Sequence, residues 1–177
     1  MKYTSEEMEL AAVLDAAQLM CVAARTAPKT RGIDNIVTMV LTGEDKDVLA
    51  GKMEEVDARV NGENRTFLSR DAGNIRNAQA VVLVGVKDYH YGLDCGYCGF
   101  KTCMGAEISG TACCFGSIDL GIAVGSAVST AADMKMDCRV MFSVGKCAAE
   151  MGYTENKVTW LGIPLSVSGK NIFFDRK

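Results

Sequence analysis

Proline is nearly absent from this chain, with two residues in 177, and no stretch is rich in Pro, Ser or Gln. Such a composition excludes a disordered linker and predicts one folded domain over residues 1–177, loose only at its ends. Runs of Lys or Arg are missing too. Nineteen positive residues stand against 22 negative ones, a net of −3. Without a basic stripe to neutralise phosphates, nucleic acid is not an expected partner. No apolar stretch follows the basic start in Met1-Lys2-Tyr3-Thr4-Ser5-Glu6-Glu7, so the expectation is a cytoplasmic protein with reduced thiols. The longest uncharged run, Ile108 to Ala132, is broken by Asp119 and rich in Gly and Ser. It reads as a buried helix with its preceding loop, not a membrane span.

What is present suits a globular core: 49% hydrophobic and 23% charged residues. Thr4 and Glu7 form a capping-box pattern, and apolar residues at Leu10, Val13, Leu14, Ala17, Met20, Cys21 and Ala24 follow at helical spacing. That helix should reach Arg25, with Pro28 stopping it. A strand is expected over Ile36 to Leu41. A helix from Asp45 to Val60 should turn Val48, Leu49, Met53 and Val56 inward and Lys46, Lys52, Glu55 and Arg59 outward. A short helix over Asp71 to Asn77 leads into Ala80–Val86, a continuous apolar run typical of a central strand. A long helix is expected over Ile118 to Lys135, a third strand over Arg139 to Val144, a helical turn over Lys146 to Met151 and a fourth extended segment over Val158 to Val167. Strands alternating with helices suggest a layered α/β (α+β) domain.

Five of the eight cysteines fall between Cys95 and Cys114. The core reads Asp94-Cys95-Gly96-Tyr97-Cys98-Gly99-Phe100-Lys101-Thr102-Cys103, a C-x2-C-x4-C spacing inside a loop of about residues 88–115. A fourth sulfur follows at Cys113 or Cys114. Four thiolates in one loop are what an iron–sulfur cluster takes, most often of the 4Fe-4S type. A glycine follows each of the first two cysteines. Positive φ there turns backbone N–H groups toward cluster sulfurs, which stabilises the negative cluster. A zinc site, as in a zinc-stabilised binding protein, also uses four cysteines but more often shows two separate C-x2-C knuckles. Cys21, Cys138 and Cys147 sit in apolar segments and read as buried small hydrophobes. His90, the one histidine, lies beside the loop between two tyrosines.

C-G-x-C-G-x3-C resembles the cluster-binding segment in the iron–sulfur subunit of corrinoid proteins. Over nearly the whole chain there is a resemblance to an uncharacterised prokaryotic family of ferredoxin-domain-containing proteins. It is carried by residues 24–32 (Ala-Arg-Thr-Ala-Pro-Lys-Thr-Arg-Gly), the cysteine loop, the run Ile118 to Ala127 and the tail Ser168 to Arg176. In that family's pattern a cysteine-apolar-Phe run precedes the long helix, which favours Cys113 over Cys114. The resemblance implies a metal site of Cys95, Cys98, Cys103 and Cys113.

More faintly, Ala27-Pro28-Lys29, Asn35-Ile36-Val37 and the Asp119–Ala123 segment resemble nitroreductases, which are homodimeric FMN enzymes. That implies a nitroreductase-like mixed sheet flanked by helices, with the cysteine-rich iron–sulfur loop inserted. It implies FMN contacts at Arg25, Thr26, Lys29, Arg31 and Asn35, with Lys170 and Arg176 of the tail as added charge. The three cations beside a helix end suit a phosphate or a reduced flavin, and the alternative for them is a solvated basic loop. Gly121 and Gly125 lie one turn apart on a helix face that suits a dimer contact. The functional expectation is an iron–sulfur flavoprotein passing electrons between a donor, such as a redox partner protein, and a small-molecule acceptor. The alternative is a flavin-free electron carrier or redox sensor. No residue stands out as a catalytic acid, base or nucleophile.

Overall fold

The computed structural model describes residues 1–62, 64 and 66–174. Arg176 therefore lies outside the described residues. The elements in order are α1 (Ser5–Thr26), β1 (Ile36–Thr42), α2 (Gly43–Asn61), α3 (Phe67–Asn77), β2 (Ala80–Lys87), α4 (Cys103–Ile108), α5 (Cys114–Asp133), β3 (Asp137–Cys138), α6 (Phe142–Ala148) and β4 (Val158–Ser166). The strands form one sheet in the order β1-β2-β4-β3, and each pairing is antiparallel. The α+β expectation holds, but the sheet expected to be mixed is antiparallel at every described pairing.

β2 is the centre of the molecule. Its apolar residues alternate between two cores because successive side chains leave a strand on opposite faces. Val81 and Leu83 meet Leu49, Met53 and Val56 of α2, Ile75 of α3 and Val144 of α6. Ala80, Val82, Val84 and Val86 meet Val13, Ala17 and Met20 of α1, with Leu120, Ala123 and Ala127 of α5. The sheet is thus covered on both faces, which explains a strand buried from Ala80 to Val86.

The capping box at α1 is formed: Thr4 Oγ1 accepts from the Glu7 amide at 3.2 Å, and Glu7 Oε2 accepts from the Thr4 amide at 2.8 Å. The buried face of α1 is Val13, Ala16, Ala17, Met20 and Ala24, while Leu10 and Leu14 of the same apolar pattern stay exposed. On α2 the inward and outward assignments exchange at two positions. Val48 is exposed and Lys46 is buried. Lys46 Nζ is held by Asp47 and by the Arg76 carbonyl at 2.8 Å. α5 starts four residues before the expected Ile118 and so takes in Cys114 and Phe115.

The expected strand over Arg139 to Val144 does not form. β3 is only Asp137–Cys138, Met141 makes an isolated bridge to Gly162, and Phe142 already opens α6. A short apolar run has no period that separates strand from helix. Here the decision is made by two glycines. A Cβ on Gly145 of α6 would stand 1.8 Å from the Trp160 carbonyl oxygen, and one on Gly162 of β4 would stand 2.3 Å from a Val144 methyl. Only two bare backbones let α6 lie this close to β4.

Gly145→Ala should therefore destabilise the fold by at least about 1–3 kcal/mol through overpacking, lowering the thermal midpoint by several degrees in a differential scanning calorimetry trace. Gly51→Ala, where a Cβ on α2 meets nothing within 4 Å, should leave the midpoint unchanged or raise it. Equal effects at the two sites would show that the α6–β4 contact is not what the glycine serves.

Candidate functional site

The cysteine loop leaves β2 at Lys87 and ends where α5 begins. Its course is set by five residues at positive φ: Gly92, Asp94, Gly96, Gly99 and Gly110. The two glycines predicted to need that conformation have it, at φ 77° and 86°. The Gly99 amide donates to the Gly96 carbonyl at 2.9 Å and closes a tight turn around Cys98. Asp94 and Cys103 are joined twice: the Cys103 amide donates to Asp94 Oδ1 at 2.7 Å, and the Asp94 amide donates to Cys103 Sγ at 3.4 Å. The second of these is a backbone N–H aimed at a sulfur, the contact that tunes a cluster ligand. Thr102 Oγ1 accepts from the Gly105 amide and starts α4, with Cys103 its first residue.

Cys113 is the N-cap of α5, Cys114 its first helical residue, and the cap has no side-chain hydrogen bond. Tyr97, between the first two cysteines, stacks on Phe115 with ring centroids 5.5 Å apart and planes 13° from parallel. That stack holds the Cys95–Cys98 turn against the start of α5. Cys95 is exposed, and Cys98, Cys103, Cys113 and Cys114 are half-buried. Cys113 also lines a water-sized hollow with Val86, Tyr89 and Gly116. Among the described residues no three His, Cys, Asp or Glu side chains are arranged to hold a single metal ion. In a multi-iron cluster each thiolate binds a different iron, so its ligands stand further apart than those of one ion. Of the three cysteines expected to be buried, Cys147 is buried while Cys21 and Cys138 are half-buried, and partial or full burial raises the thiol pKa of each.

The loop expected to meet a flavin is tied down from within. Arg25 Nη1 donates to Asp34 at 2.5 Å and to the Ile36 carbonyl at 2.7 Å. Lys29 Nζ donates to the carbonyls of Ala24, Arg25 and Ala27 at the end of α1. Thr26 Oγ1 turns back onto the Val22 carbonyl. Arg31, at φ 57°, donates to the Tyr91 carbonyl at 2.7 Å. Asn35 differs from these: its Nδ2 is shielded from solvent and makes no hydrogen bond of ordinary geometry among the described residues, though it lies beside the Tyr91 hydroxyl.

Two residues outside the expected set join the two loops. Asp119, 2% exposed, accepts from the Thr30 amide at 3.0 Å, from Thr30 Oγ1 at 2.8 Å and from the Tyr91 hydroxyl at 2.6 Å. Burial, then the bond to Asp119, pushes the Tyr91 phenol up to about 12, while Asn35 beside it pulls the other way. The sequence signal for this hub was the lone charge in the Ile108–Ala132 run, because a buried carboxylate requires partners. His90, Tyr91's neighbour, holds the Thr111 carbonyl through Nε2 at 2.9 Å.

A family model described as an uncharacterised protein containing a ferredoxin domain matches residues 109–176. An uncharacterised protein of Archaeoglobus fulgidus is 40% identical over 170 residues, spanning 91% of this chain and 90% of its own length. The chain belongs to this ferredoxin-domain-containing family. The matched span includes Cys113 and Cys114 but begins after Cys103. Among solved structures, a nitroreductase with bound FMN from Desulfitobacterium hafniense superposes at TM-score 0.60 with 14% identity, over 88% of this chain and 78% of its own. An FMN-dependent nitroreductase from Mycobacterium smegmatis in complex with NADPH gives TM-score 0.60, 11% identity and the same coverage. A BluB-like flavoprotein from Clostridium difficile gives 0.56 and 18% identity over all of this chain and 86% of its own. The family member thus has a nitroreductase-like fold, with its cysteine loop between β2 and α5.

Tyr91→Phe should cost about 1–3 kcal/mol at neutral pH, the range for a hydrogen bond to a charged group. The raised phenol stabilises the fold fully below its ordinary value of 10, and that contribution is lost as pH rises to about 12. The stability gap between wild type and Tyr91→Phe in urea unfolding should therefore close across that window. A gap that is constant from pH 8 to 12 would sink the assignment.

Proposed function

We propose that this protein is an iron–sulfur redox protein, with one cluster held by Cys95, Cys98, Cys103 and Cys113. The observation that carries the reading is the loop itself: positive-φ glycines after the first two cysteines, a backbone N–H on Cys103 Sγ and Cys113 at the mouth of α5. A bound cluster supplies one-electron transfer. The chain's part is to hold the thiolates, to stabilise their charge with N–H groups and the positive end of α5, and to hold the Cys95–Cys98 turn by the Tyr97–Phe115 stack. A four-iron cluster, a cytoplasmic setting and a homodimer belong to the same proposal. The zinc reading is the weaker one, because zinc ribbons usually pair two separate C-x2-C knuckles and this chain has one.

FMN at the loop of residues 25–35 is the finer part of the proposal, and its support is the nitroreductase-like fold, shared with FMN-bound enzymes, together with an Asn35 amide that makes no well-formed hydrogen bond. A flavin edge would offer Nδ2 a stronger acceptor than the Tyr91 hydroxyl beside it. Arg25 and Lys29 would then shape the loop from within, while Arg31 and Asn35 meet the ligand. Electrons would pass from a donor through cluster and flavin to a small acceptor. Without flavin, the same cluster makes an electron carrier or redox sensor.

Protein purified anaerobically should contain about four irons and four sulfides per chain. Cys113→Ser should lose or degrade the cluster, and Cys114→Ser should largely keep it. Stoichiometric zinc without iron from iron-replete cells would overturn the reading, and the reverse mutant result would move the fourth ligand to Cys114. Asn35→Ala should weaken FMN binding by about 1–3 kcal/mol with iron content unchanged. If titration of the purified protein detects no FMN binding, the carrier or sensor reading replaces the flavoprotein.

A further inference from the structure

Two hollows adjoin beside the cysteine loop. One, of about 240 Å³, is walled by Asp88, Tyr89, His90, Glu107, Gly110 and Thr111. The other, of about 430 Å³, reaches Asp94, Cys103 and Met104 and shares His90 and Glu107 with the first. Together they make a groove from the end of β2 to the start of α4, with His90 and Glu107 at its waist and a candidate cluster thiolate at one end. The larger hollow alone has the size of a small-molecule site, which runs from about 300 to 1,000 Å³. Neither hollow is lined by a residue of the 25–35 loop, so this is a second place, apart from the one expected to meet flavin.

The walls are fixed from within the loop. His90 is held by Nε2 on the Thr111 carbonyl at 2.9 Å. A carbonyl oxygen only accepts, so Nε2 carries the hydrogen, and Nδ1 of the neutral ring is left as an acceptor. Tyr89 stands edge-on to Tyr91, with ring centroids 5.2 Å apart and planes at 79°, which steadies one aromatic wall. Met104, in the first turn of α4, is 70% exposed and offers a polarisable thioether. The lining carries three carboxylates, Asp88, Asp94 and Glu107, and no Lys or Arg. Asp94 is occupied with the Cys103 amide. Asp88 has the exposed Lys157 at 3.1 Å, a surface pair that contributes little. Glu107 makes no hydrogen bond or ion pair among the described residues.

Carboxylates, an aromatic face and a thioether around one groove attract an organic cation, by charge and by cation–π contact. The same carboxylates repel an anion, which disfavours phosphorylated nucleotides and sulfonated acceptors. We propose that the groove binds a redox-active organic cation of the pyridinium class, and that this is the small molecule that exchanges electrons at the Cys103 side of the loop. In the accepting direction the reduced protein gives up one electron, the cation takes it, and its charge falls by one. No bond breaks and no proton moves. The electron step rests on the iron–sulfur reading above; the binding site does not.

Isothermal titration calorimetry of the anaerobically purified protein with 1-benzylpyridinium should show one site per chain, and phenylmethanesulfonate, an anion of similar size, should not bind. Glu107 is exposed, so Glu107→Lys should fold, and it should weaken the cation by at least about ten-fold. Asp15→Lys makes the same change in net charge beside Met134, at the other end of the 20-residue α5, and should leave binding unchanged. No binding of the cation, equal binding of cation and anion, or equal effects of the two variants overturns the proposal. For the electron step, reduced benzyl viologen, itself a cation, should pass one electron to the oxidised protein in stopped-flow traces. The rate should saturate with dye, 1-benzylpyridinium should compete, and Glu107→Lys should move half-saturation to about ten-fold higher dye. Transfer that does not saturate, or that ignores Glu107→Lys, overturns the electron step. Protein that contains no iron removes that step together with the cluster reading, while the calorimetry still decides the site.

Discussion

A carboxylate buried in an apolar helix is tolerated only when every lone pair is used, and Asp119 meets that condition by recruiting Thr30 and Tyr91. Thr30 lies just after Pro28, in the loop that leaves α1. Tyr91 lies at the entry to the cysteine loop. One side chain on α5 therefore sets the position of two segments that are otherwise far apart in sequence. Arg31 adds a second tie between the same two loops through the Tyr91 carbonyl. The cysteine loop also returns to α5 at Cys113, so α5 anchors both of its ends.

The sheet makes this arrangement rigid. β2 has both faces in contact with helices, and α1 and α5 share one of those faces. Ser126 Oγ donates to the Ala23 carbonyl at 3.0 Å and fixes α5 along α1 near the start of the 25–35 loop. On the other face a second buried carboxylate, Asp57, accepts from Asn61, Thr66 and Ser69 and joins α2 to α3. Those bonds hold its carboxyl well below the usual range. The two hubs use the same chemistry, but only the Asp119 hub adjoins the cysteines. The candidate site therefore occupies the α1–α5 side, where α5 begins, and the far side contributes stability.

Much of the site was legible in the chain. The C-x2-C-x4-C spacing and the glycines after Cys95 and Cys98 follow from local chemistry, and positive φ at both glycines is a property of a few adjacent residues. The strands at 36–42 and 80–87 and the capping box at Thr4 were likewise written in local pattern. Sequence reading placed three cations together in the 25–35 loop, but not their partners. Arg25 and Lys29 turn onto Asp34 and onto backbone carbonyls that only the folded loop presents.

The sequence alone determined the cysteine spacing, the turn chemistry around it and the apolar strand that carries it, because each depends on neighbours within a few residues. Tertiary structure decided the rest. It made residues 142–148 a helix, because Gly145 and Gly162 let α6 seat against β4. It exposed Leu10 and Leu14 and buried Lys46, because a helix's periodic pattern does not say which side of a broad apolar stripe faces the sheet. It assigned Asp119 to Tyr91 and Thr30, a pairing between residues 28 and 89 positions apart. No local propensity encodes such a contact. It exists because three elements packed on one face of the sheet bring a single buried charge within reach of the groups that can satisfy it.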